Sequence, residues 1–251
     1  MLEREVRILF RKELRQLLRS RGAMVTALLL PVLLLVVIPG LQMLGMKAGG
    51  ARPPLNLPPG VELPPGMREL FQDPQAMMRA MLVPFIALGG LIVPSVTASY
   101  SLITERESRT LELLVALPVR VGQILLAKLL ALLTLAAVVT LALFSLDAGL
   151  ILALEVGSVG FVLGLLAVLL SALAFSTTTA LLVSLLARDF RTSNNINGLL
   201  LGPIILLCFL VTLAVPDPRV SSLLLAALFI VGSGVATFVA LRVITFERLL
   251  R

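Results

Sequence analysis

Six apolar runs, each long enough to cross a bilayer, dominate this chain of 251 residues. They fall at about Met24–Met46, Met81–Ile103, Gln123–Phe144, Gly160–Leu186, Ile196–Val215 and Ser221–Val243. A helix of about 20 apolar residues spans the hydrocarbon layer. Six such runs therefore predict an all-α integral membrane protein with six transmembrane helices, a single domain over 1–251. Composition agrees. The chain is 59% hydrophobic and only 14% charged, with mean hydropathy +1.07, whereas a soluble domain is about one quarter charged.

The polar segments between the runs set an orientation. Sixteen of the 21 Lys and Arg residues lie before the first run, in 104–128, in 187–195 and in the tail from Arg242. Cytoplasmic flanks of spans carry that excess, so both termini are expected in the cytoplasm of a cell membrane, plasma or inner. The net charge of +7 and the pI of about 10.9 have the same origin. A nucleic-acid binder would instead carry a basic soluble domain. The first run follows a long basic helix and is too long for a signal-peptide core, so it reads as a retained span.

Residues 2–21 are predicted to form an amphipathic helix within an interfacial segment, 1–22. Val6, Leu9, Phe10, Leu14, Leu17 and Leu18 follow the spacing of one helical face, and Arg4, Arg7, Arg11, Arg15 and Arg19 lie mainly on the other. Such a helix can rest in the membrane interface with its arginines among anionic headgroups; the alternative is a solvated helix docked on a partner. Pro31 and Pro39 should kink the first span. Residues 47–80 form the longest polar segment, an external loop with the Pro-rich stretch ARPPLNLPPGVELPPG and a short helix near its end. A polar turn is expected over Asp147–Ser158 and a polar loop over 187–195.

Residue types exclude several chemistries. The chain has no histidine and one cysteine, Cys208, which removes histidine-based zinc proteases, Ser–His hydrolases, histidine-ligated haem and any internal disulfide. An intramembrane enzyme would need an all-carboxylate site. Glu105 and Glu107 are two residues apart, which points them to different faces of a helix. Lys128 and Arg242 can snorkel to an interface, and Asp147 and Glu155 belong near the outer one. That leaves no charge plainly at a span centre, where proton- or sodium-driven carriers usually keep theirs. A standalone secondary transporter or channel is the alternative this pattern disfavours.

The segment 104–120 carries concentrated charge in a greasy chain: Glu105, Arg106, Glu107, Arg109, Glu112 and Arg120. In the bilayer core each charge would cost about 3 kcal/mol on an insertion scale, so the segment must face water or protein. It has helical features. Glu105 and Arg109 are an i,i+4 pair in the favourable order, Leu111, Leu114 and Val115 make an apolar side, and Pro118 stops the helix. It reads either as a solvated loop or as a docking element for a cytoplasmic partner.

This stretch, ITERESRTLELLVALPVR, resembles the segment between spans two and three in ABC-type permeases of the type-2 exporter class. Glu105, Arg106, Glu107, Thr110, Glu112, Leu113, Leu114 and Pro118 match that pattern, and Arg109 stands where the family usually has Gly. The resemblance implies that 104–120 is a cytoplasmic coupling helix contacting a separate ATP-binding subunit. It also implies that the chain is the membrane-spanning permease subunit of an ATP-driven exporter, paired with a second copy or a paralogue. No G-x-x-x-x-G-K-[ST] phosphate loop occurs in the sequence. The expectation is therefore no enzyme activity and no cofactor in this chain, with ATP and Mg bound by the partner subunit.

Two further features stand out within spans. The hydroxyls of Ser176, Thr177, Thr178 and Thr179 could line a translocation path, or they bond back to their own helix. Gly198 with Gly202, and Gly160 with Gly164, form GxxxG pairs that can mark close helix packing.

Overall fold

Apolar periodicity makes the first helix, and its stripe determines where it docks. In the computed structural model, which describes residues 2–19, 25, 28–49, 73–107, 121–187, 190–215 and 217–243, α1 runs over Leu2–Arg19. Its buried stripe is Leu9, Glu13 and Leu17, one residue per turn. Leu9 packs with Ile124 and Ala127. Leu17 joins Ala98, Ala131, Leu132, Leu135, Ala180 and Leu181, with Phe10 and Leu14 against them. Arg7, Arg11, Arg15 and Arg19 are exposed. The apolar face is thus turned onto the rest of the chain, and Leu18, expected on that face, is exposed instead.

The first span contains a π-helical turn, Val32–Val37, leading into α2, Ile38–Gly49. The amide of Ile38 donates to the Leu33 carbonyl five residues back. Pro39 has no N–H, and in a regular α-turn its ring would meet the carbonyl of Leu35. The wider turn is the local remedy, so the proline produces a π-bulge in this span.

Four long helices and a fifth of similar kind follow. These are α3 (Pro74–Glu107), α4 (Val121–Ala153), α5 (Val159–Leu186), α6 (Phe190–Ala214) and α7 (Pro218–Val243). Together with the first span they make six helices long and apolar enough to cross a membrane. Every element among the described residues is helical.

Helix ends differ from the sequence expectation wherever a polar residue is tolerated inside a helix. Asp73 caps α3, its Oδ1 accepting from the Gln75 amide at 2.9 Å. The segment 74–80 is therefore the first two turns of the span helix and not a separate short helix in the loop. α4 continues through Asp147 to Ala153, so the expected polar turn is shortened to 154–158. There Glu155 takes φ 56, and the Val156 amide closes on the Ile151 carbonyl at 3.0 Å. This left-handed closure ends the helix in the usual way. Ser158 then caps α5, its side chain accepting from the Phe161 amide. α6 likewise begins at Phe190, taking most of the expected polar loop into its first turns.

The core lies where α5 runs against both α3 and α7. Leu82, Val83, Ile86 and Leu91 of α3 meet Leu165, Leu169 and Leu173 of α5, and Leu225 and Phe229 of α7 close the other side. Two adjacent glycines allow the tightest approach. A Cβ on Gly90 would sit 2.9 Å from the Leu169 carbonyl oxygen and 3.0 Å from Ala172 Cβ, and one on Gly89 would strike Leu35. Of the GxxxG pairs, Gly164 abuts Ser222, whereas Gly198 and Gly202 meet nothing within 4 Å. The outside of the bundle is apolar: Leu199, Leu206, Leu223, Ile230, Val231 and Val235 are all exposed. Such a continuous surface suits lipid and would be a liability in water.

Candidate functional site

Two polar arrangements interrupt the apolar bundle on its α1 side and along α5. The first is an ion pair. Lys128, in the second turn of α4, is 1% exposed, and its Nζ lies 2.7 Å from Glu13 Oε2. The other carboxylate oxygen, Oε1, lies 3.3 Å from Lys12 Nζ. α1 covers Lys128 and supplies its counter-ion. Burial alone would raise the Glu13 pKa, but the charge and hydrogen bond of Lys128, helped by Lys12, hold the carboxyl below its ordinary value of 4.5.

Sequence reasoning missed this pair. The signal was present: Glu13 occupies the middle of the Leu9–Leu17 stripe, and Lys128 is the only Lys or Arg in the third apolar run. A buried carboxylate in that stripe requires a cation opposite it.

The second arrangement surrounds the hydroxyl run of α5. Ser176 donates to the Leu91 carbonyl of α3. Thr177 bonds back to the Leu173 carbonyl at 2.6 Å, and Thr179 to Phe175 at 2.8 Å. Thr178 bonds back to Ala174 and Phe175 and lies 3.5 Å from Ser233 Oγ of α7. A cavity of about 70 Å³ opens beside this helix, lined by Leu91, Ser95, Phe175, Ser176, Thr179, Ala180, Asn197, Leu200, Leu201 and Ile204. Asn197 Nδ2 donates to the Ser95 carbonyl across it at 3.5 Å. Of the four hydroxyl residues, Ser176 and Thr179 line the cavity; Thr177 and Thr178 do not. Asn197 and Ser95 join it from α6 and α3, and neither was picked out from the sequence.

The remaining predicted residues fall at one place in the chain. Glu105, Arg106 and Glu107 form the last turn of α3, where only the backbone is described. Arg109, Thr110, Glu112, Leu113, Leu114 and Pro118 lie outside the described residues, as does Arg120. Asp147 lies within α4 and is fully buried, and neither carboxylate oxygen has a hydrogen-bond partner among the described residues. Among those residues no cluster of His, Cys, Asp or Glu could hold a metal ion.

A family model described as ABC-2 family transporter protein matches residues 42–247. No curated protein matches the chain. The matched range takes in the end of the first span, all five later spans, the hydroxyl cavity and the charged segment between α3 and α4.

Proposed function

The chain belongs to the ABC-2 family of transporter proteins, and on that premise we propose that it is the permease subunit of an ATP-driven exporter, coupled to a separate ATP-binding subunit. It is a multi-pass membrane protein. In this reading the segment 104–120 is the coupling element. Glu105, Glu107 and Glu112 supply charge to the ATPase surface, with Arg106, Arg109 and Thr110 beside them, and Leu113 and Leu114 anchor the contact ahead of Pro118.

The observation that carries the proposal is where this segment attaches. It joins the end of α3 to the start of α4, and α1 is fastened to that same start of α4 through Glu13 and Lys128. A force applied at 104–120 is delivered at once to two spans and to the interfacial helix. ATP binding can then bias two arrangements of the bundle through differential contact with one short element. The topology has α1, the 104–120 segment and the ATPase on the cytoplasmic side, following the distribution of Lys and Arg. Two copies of the permease, or this chain and a paralogue, form the membrane assembly, with ATP and Mg held by the partner. Ser176 and Thr179, with Ser95 and Asn197, are the polar groups proposed to face the translocated molecule.

The test is affinity capture of this chain from gently solubilised membranes. A nucleotide-binding subunit should accompany the wild type and be lost when Glu105, Glu107 and Glu112 are changed together to Lys. Capture without any ATPase, under conditions that retain other membrane complexes, would overturn the proposal.

A further inference from the structure

A polar cleft of about 320 Å³ opens at the end of the bundle opposite α1, where α5 and α7 begin. Its lining includes Arg79, Ser158, Phe161, Asp217 and Arg219. This end is built to be electropositive. Ser158 caps α5, and Asp217 caps α7 by accepting from the Arg219 amide at 2.9 Å, so two helix N-termini meet at the cleft with their partial positive charge. Two guanidinium groups line the same space. Arg219 Nη2 donates to Ser158 Oγ at 2.9 Å, which fixes its fork across the gap between the two helices. Arg79 Nη2 donates to Gln75 at 3.3 Å, while its Nε is buried with no hydrogen-bond partner among the described residues.

A buried guanidinium nitrogen with no acceptor is costly, and among the described residues the lining sets two guanidinium groups against one carboxylate, that of Asp217, which caps α7. The cleft therefore has more cationic donors than acceptors. Its volume lies in the range of small-ligand sites, about 300–1,000 Å³. Planar guanidinium forks match phosphate oxygens in pairs, and helix N-termini bind the same group.

We propose that this cleft binds a phosphate group, held by Arg79 and Arg219 beside the N-terminus of α5. In the proposed topology the cleft opens at the outer leaflet, so a phospholipid headgroup and a free phosphate are the two sources of that chemistry. The site itself rests on the cleft's own geometry and does not depend on an ATPase partner.

The test is calorimetric titration of the purified full chain in nonionic detergent with three probes: dihexanoylphosphatidic acid, dihexanoylglycerol and inorganic phosphate. The expected result is saturable binding of the phosphatidic acid and none of the phosphate-free diacylglycerol. Arg79→Gln and Arg219→Gln should each weaken the phosphatidic acid about tenfold or more, as expected for a lost charge-assisted hydrogen bond, while Arg191→Gln on α6 leaves it unchanged. Inorganic phosphate that binds with the same arginine dependence identifies the phosphate alone as the ligand; binding of the lipid only identifies a headgroup. Thermal unfolding of each variant separates a lost site from a lost fold, and Arg79→Lys keeps the charge should Arg79→Gln fail to fold. Equal binding of phosphatidic acid and diacylglycerol, or arginine variants that fold and bind as the wild type does, would overturn the proposal.

Discussion

Lys128 Nζ and Glu13 Oε2 lie 2.7 Å apart across 115 positions of sequence. Neither side chain reaches solvent, so the pair joins the N-terminal helix to α4 at a point where no water can replace either partner. Removing one partner of such a pair leaves a buried charge and costs about 3–5 kcal/mol, whereas replacing both with apolar residues is far milder. Glu13→Ala is therefore expected to lower the thermal midpoint in detergent sharply, and Lys128→Met together with Glu13→Leu to recover most of the loss. Equal losses for the single and double variants would show that the pair contributes nothing as a pair.

The same junction should respond to acid. The folded-state pKa of Glu13 is below its ordinary value of 4.5. A depressed carboxyl contributes stability that is fully present above the unfolded pKa and is lost as pH falls through the folded one. α1 is thus expected to stay docked at neutral pH and down to about pH 4.5, and to loosen only below it. Hydrogen exchange of residues 2–19 against pH measures this. Amide protection that falls between pH 8 and pH 6 would contradict it.

Close packing of α3 on α5 depends on the missing side chain of Gly90. A Cβ there would sit 2.9 Å from a backbone oxygen, which cannot rotate away. Gly90→Ala should destabilise the protein by about 1–3 kcal/mol despite the better helix propensity of alanine. Gly198→Ala, with nothing within 4 Å, should be neutral or slightly stabilising. Thermal unfolding of the two variants in parallel checks the contrast.

The number of spans was legible in the sequence because each apolar run exceeds what any other element requires. Their ends were less so, and for one physical reason: hydropathy registers polarity, while a helix ends where its terminal amides and carbonyls find partners. Asp147 looked like the start of a turn, yet the chain turns only at Glu155, whose left-handed backbone closes α4. Ser158 and Asp217 are the residues that start the next helices, by capping them. Residues 190–195 looked like a loop, yet Ser193 is buried and lies 3.3 Å from Ser184 Oγ. The hydroxyl run of α5 was visible, but its division into cavity-lining Ser176 and Thr179 and off-cavity Thr177 and Thr178 was not, because that depends on which face α3 and α6 approach. Ser95 and Asn197 belong to the same cavity and are separated by 102 positions, a relation that one sequence does not contain.

The proposed coupling requires 104–120 to be a cytoplasmic segment covered by an ATP-binding subunit. Cys208 is the only cysteine in the chain, so Cys208→Ser with Arg109→Cys leaves one thiol, on the segment itself. The measurement is labelling of that thiol by a membrane-impermeant maleimide in right-side-out and inside-out vesicles, before and after the peripheral subunits are stripped away. Labelling is expected from the cytoplasmic side alone, slow in native vesicles and fast once they are stripped. Labelling from the outer side, or a rate that stripping leaves unchanged, would contradict it.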